Sequence, residues 1–166
     1  LVQLPLWRAA AAAAETPADA ETPADAETNA TTTTTTTTQR HPSVYYPPTY
    51  DQDGGFTHLT ADPSLLLGVA NQFYRQVPSE VEWRVLVLDS ARLAAAPGAG
   101  PIRYEPAAPV GTIAARKGDA GLLYPHLYGG IPTQVEGVVL AELAVRREAG
   151  EGGAFAAIEG LDAWGQ

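Results

Sequence analysis

Two stretches of the chain place their apolar residues at helical spacing, several others alternate or run apolar, and one long stretch has no pattern at all. Leu4, Trp7, Ala10, Ala11 and Ala14 recur every three to four positions. With the high helix propensity of the alanine run, this predicts a helix from about Pro5 to Ala14, led in by the end of a strand at Leu1–Val2. Leu66, Val69, Ala70, Phe73 and Val77 form a second stripe, with Asn71, Gln72, Arg75 and Gln76 on the polar side. Asp62-Pro63 suits the start of that helix, a capping carboxylate followed by proline at the first helical position, and Pro78 suits its end.

The remaining patterned segments read as strands. Order is expected from Val44, where Tyr45-Tyr46-Pro47-Pro48-Thr49-Tyr50 is held extended by its prolines and is unsuited to the middle of a sheet. After a turn at Gly54-Gly55, Phe56 and His58 point to one face of a strand, and Thr57 and Leu59 to the other. Trp83–Leu88 is apolar on both faces beyond Arg84, the signature of a central strand. Ile102–Glu105 alternates and is stopped by Pro106, and a loop rich in glycine and proline then runs to Ala120. Val135–Val145 and Ala154–Ile158 supply further strands. Strands mixed with two helices, without regular strand–helix–strand repeats, indicate an α+β fold.

Residues 15–38 stand apart: two copies of ETPADA, then ETNA, then Thr31 to Thr38. Almost nothing there exceeds alanine in apolar size, so the segment cannot offset its ordering entropy. The chain of 166 residues therefore divides into residues 1–14 and 44–160 as one folding unit, a disordered insert at 15–43, and a tail at 161–166.

Composition narrows the function. The net charge is −9, and Glu15, Asp19, Glu21, Asp25 and Glu27 of the insert supply five of the negatives. An acidic chain repels a phosphate backbone, which argues against general nucleic-acid binding. There is no cysteine, so disulfides and cysteine nucleophiles are excluded. Methionine is also absent, and the chain reads as a fragment or processed product. No run approaches the length of a membrane span, which gives the expectation of a soluble, intracellular protein.

Candidate chemistry falls in three clusters. The first is Phe56 to Thr60, a strand with His58 just before a helix; the second is Arg103 and Glu105 on one strand face; the third is Tyr124-Pro125-His126-Leu127-Tyr128 between proline and glycine. Each has a bland counterpart: a hydrogen-bonded structural histidine, an ion pair, a tight aromatic turn. Three histidines without cysteine or a His-x-x-x-His spacing argue against zinc. Neither a G-x-S-x-G elbow nor a phosphate-binding P-loop is present. Glu105 suits a general base or the stabilisation of a cationic transition state.

These motifs resemble a family catalogued as domain of unknown function 952. The likeness lies in Tyr45 to Tyr50, Asp53 to Thr60 (DGGFTHLT), Ala70 to Tyr74, Arg103 to Pro106 and Tyr124 to Gly129. The insert is foreign to the usual pattern, and Gly54-Gly55 stands where one glycine is common. The resemblance implies a fold similar to that of ADP-ribosyltransferases, a split pair of antiparallel sheets with flanking helices around an NAD-binding cleft. His58-Leu59-Thr60 also resembles a motif of RNA 2′-phosphotransferases, which consume NAD. On that likeness His58, Glu105 and His126 carry the chemistry, and Thr60, Arg103, Tyr124 and Tyr128 contact NAD, with no metal. A non-catalytic binding domain for a small molecule or nucleotide, its histidines architectural, is the alternative.

Overall fold

The computed structural model describes residues 1–13, 43–150 and 152–164, so the predicted insert lies almost wholly outside the described residues. Strand β1 (Val2–Gln3) runs straight into helix α1 (Leu4–Ala13), which buries Leu4 and Trp7 as their spacing requires. β2 (Val44–Tyr45) and β3 (Thr57–His58) follow. A short 3-10 turn at Pro63–Leu65 then leads into α2 (Leu66–Phe73). The Asp62 carboxylate caps that turn, accepting from the Ser64 N–H at 2.9 Å and the Ser64 hydroxyl at 2.7 Å.

α2 stops at Phe73, five residues before the expected end at Pro78. Tyr74 leaves helical geometry and packs its ring on Trp83 with centroids 4.9 Å apart. The Arg147 guanidinium takes the carbonyls of Arg75, Val77 and Pro78. Tertiary contacts therefore replace the last helical turn.

β4 (Trp83–Leu88), α3 (Ser90–Ala95), β5 (Ile102–Pro106), β6 (Leu123–Leu127), β7 (Ile131–Pro132), β8 (Val139–Arg147) and β9 (Phe155–Ile158) complete the order. The strands form three antiparallel sheets, β1-β4-β8-β9, β3-β6-β5 and the pair β2-β7, which makes the fold α+β. Helix α3 was not expected. Asp89 caps it by accepting from the Arg92 N–H at 2.9 Å, but at six residues it is too short to display a stripe. The described part of the tail forms a 3-10 turn at Leu161–Trp164.

Tyr124 to Leu127, for which a tight aromatic turn is the bland reading of the sequence, forms the middle strand of a sheet. Proline in such a place normally breaks a ladder. Here the Pro125 carbonyl faces β3 and accepts from the Leu59 N–H at 2.9 Å. Because the N–H and C=O of a strand residue point the same way, the missing donor falls beyond the two-residue β3 and leaves the β5 ladder complete.

Leu4, Trp7, Leu86, Leu93, Leu127 and Val138 form the main core, against which Leu59, Leu88 and Ile102 pack. Ala70, Trp83 and Phe155 form a second cluster under α2. β1 pairs with β4 only at Trp83 and Arg84, so among the described residues Val85 to Leu88 has no strand on that edge. A cavity of about 390 Å³ runs along this edge, between β4, α2 and the three-stranded sheet.

Candidate ligand-binding and active site

Directly opposed residues of antiparallel strands share a face. His58 opposes His126, Arg103 opposes His126, and Glu105 opposes Tyr124. One face of the three-stranded sheet thus carries His58, Arg103, Glu105, Tyr124 and His126, with Tyr128 two residues further along. The opposite face buries Leu127 in the core, and Thr57 donates its hydroxyl to the Gly129 carbonyl at 2.8 Å.

The two imidazoles lie edge to face, centroids 5.2 Å apart. His126 Nδ1 is 3.0 Å from Glu105 Oε2. A carboxylate only accepts, so Nδ1 carries the proton in this contact. Tyr128 donates its hydroxyl to the same carboxylate, 2.9 Å from Oε2 and 3.2 Å from Oε1. These bonds from Tyr128 and His126 hold the Glu105 carboxyl below its ordinary range and push the Tyr128 phenol up. The Arg103 guanidinium covers the Tyr128 ring at 4.5 Å.

Phe56 stacks on His126 with centroids 4.2 Å apart, and the His126 side chain is 2 % exposed. His58 is more open at 20 %, with Nε2 lying 3.4 Å from Asp53 Oδ2. Among the described residues neither Nε2 has a hydrogen-bond partner. Asp53 itself is 1 % exposed and accepts from the Thr49 hydroxyl and the Gly111 N–H, each at 2.6 Å. Tyr124 donates to Asp119 at 2.7 Å, and its phenol is raised to about 12 by desolvation and by that bond. Arg116 Nε lies 3.7 Å from the same Asp119.

The sequence-predicted residues therefore separate into two groups. His58, Thr60, Tyr124 and His126 are on the cavity wall; Arg103, Glu105 and Tyr128 form a cluster behind His126 and do not line it. Sequence reading missed Asp53, Asp119 and Arg116 as parts of the site, and gave Phe56 a place in the first cluster without a role. Phe56 was placed on the His58 face by strand alternation, but its stacking on a residue seventy positions away leaves no local signal. Asp53 acts from a turn, where period-two reasoning has no reach. Among the described residues no three acidic or histidine side chains gather as metal ligands would.

Burial lowers the His58 pKa from 6.5, against the opposing pull of Asp53. The folded state therefore resists protonation that the unfolded chain accepts, so stability is full above about 6.5 and declines as the pH falls toward the depressed value. The melting temperature is expected to drop across that window in the native protein. In His58→Gln the same stretch of the melting-temperature profile should be flatter; an unchanged slope contradicts the assignment.

Comparison with known families gives one match, to the model described as protein of unknown function (DUF952), over residues 30–140. No curated protein and no solved structure matches the chain. No helix among the described residues is long and apolar enough to cross a membrane.

Proposed function

The chain belongs to the DUF952 family of proteins of unknown function, and on that premise we propose that its cavity binds a nucleotide of the NAD type, with transfer of the ADP-ribosyl group as the reaction. One observation carries the reading: two imidazoles distant in sequence meet beside a single cavity, each with its own carboxylate. A volume of about 390 Å³ falls in the range of small-molecule sites, and the mostly apolar walls carry several polar groups.

In this reading His58 and Thr60 meet the ribose hydroxyls from the wall. Breaking the bond from ribose C1′ to the nicotinamide nitrogen, which departs with the bonding electrons, leaves positive charge on the sugar until a hydroxyl or amine acceptor bonds to C1′ and gives up its proton. Fixed negative charge close by lowers the barrier. Glu105 supplies it through His126, because the carboxylate itself stands behind the ring. Arg116 stands beside the wall residue Asp119 with Nη1 buried and unpartnered among the described residues, and so suits the pyrophosphate, whereas Arg103 is committed to Tyr128. Nicotinamide release serves equally for phosphate removal of the RNA 2′-phosphotransferase type.

Calorimetric titration with NAD tests the reading. Heat of binding is expected with the native protein and a loss of it in His58→Ala; flat isotherms for both end the proposal. A second reading has its own support. Phe56 seals His126, and both Glu105 oxygens are already engaged, which suits a binding domain without turnover. Binding of NAD with no nicotinamide released favours that second reading.

A further inference from the structure

The three tryptophans are treated very differently by the fold. Trp7 and Trp83 are 5 % and 3 % exposed and belong to the two cores. Trp164 is 40 % exposed, in the 3-10 turn that follows β9, yet it stands on the wall of the cavity. A large indole left open beside a concavity is unusual, since covering it would gain apolar burial. Val87 of β4 and Leu66 and Val69 of α2, on the same walls, are also only partly covered. Tyr104, another aromatic of this cavity, is 60 % exposed. His58, Asp119 and Tyr124 supply its polar groups.

We infer that Trp164 is a stacking wall for a planar heteroaromatic ring of the nucleobase class, with the polar part of the ligand held toward His58 and Tyr124. The inference rests on the cavity being a ligand site, and does not require the ligand to be NAD. A flat ring gains from an aromatic face beyond the area it buries, and base stacking on an aromatic side chain is sequence-tolerant and substantial. The partly covered valines and leucine offer the apolar surround that such a ring needs.

The enclosed Trp7 and Trp83 also emit, so the Trp164 share of any quench is the part that disappears in Trp164→Leu. Adenosine and NAD are titrated separately against native protein, Trp164→Leu and Trp164→Phe, following tryptophan emission, calorimetric heat and melting temperature. Both probes are expected to quench the native emission. Trp164→Leu should bind each about tenfold more weakly, within the range measured for stacked bases. Trp164→Phe keeps a ring and should retain most of the affinity. Melting temperatures should stay close to native, as for other exposed positions. Adenosine quenching without any NAD heat would end the NAD reading and sustain the stacking wall. Native NAD affinity in Trp164→Leu would overturn the wall while leaving the NAD reading intact. Absence of quenching by both probes, or a large fall in melting temperature with affinity unchanged, also overturns it.

Discussion

Gly129→Ala is expected to lower stability by about 3 kcal/mol or more, a fall in melting temperature of roughly 10 °C for a domain of this size. A methyl group at Gly129 would sit inside van der Waals contact of the Ala99 carbonyl, and one at Gly100 would strike the Tyr128 carbonyl. Both obstacles are backbone, so no rotamer change relieves them. Gly100 also has a φ of +78°, which favours glycine. The two segments pass this closely because the Tyr128 N–H reaches the Pro101 carbonyl at 2.9 Å. That crossing fixes where Tyr128 meets Glu105. Thermal denaturation of Gly129→Ala beside Gly118→Ala makes the test, since a methyl at Gly118 meets nothing within 4 Å. Near-native melting of Gly129→Ala would show that the crossing yields easily.

Asp53→Ala is the second substitution with a large expected cost. It leaves the Gly111 N–H and the Thr49 hydroxyl without their acceptor in an enclosed place. Hydrogen bonds to a charged group are worth about 1.5–3 kcal/mol each, so a loss of about 3 kcal/mol in urea denaturation is expected. Asp53→Asn keeps an acceptor oxygen and should lose less. The charge has a separate effect, because Asp53 raises the His58 pKa against the desolvation that lowers it. Removing the carboxylate should shift the His58 titration, followed by NMR, further down. A shift upward, or none, would mean that the 3.4 Å approach carries no electrostatic weight.

Periodicity read the elements that bury a side or two of themselves. α1, β4 and β9 lie within a residue or two of where the apolar pattern placed them, because burial dictates that pattern, and β5 does so by alternation closed by Pro106 although none of its residues is fully buried. The sequence was less informative where tertiary contacts decide. Arg147 and Trp83 end α2, and neither is near it in the chain. Pro125 argued for a turn, and only the shortness of β3 makes it compatible with a middle strand. At the site, alternation placed Arg103 with Glu105, and the motifs paired His58 with His126. What it could not give is depth: Glu105 supports His126 from behind, while Asp53 and Phe56 enclose the imidazoles from a turn and a strand entry.

Pro125 has a consequence for the extent of the sheet. Sliding β3 by one residue would turn His58 away from His126. In the native pairing the residue opposite Pro125 is Leu59, just past β3, so the carbonyl facing a nitrogen with nothing to donate belongs to Leu59. The ladder between β3 and β6 therefore ends at the proline, and a side chain with no acid–base chemistry of its own stands one pairing past the two that have it.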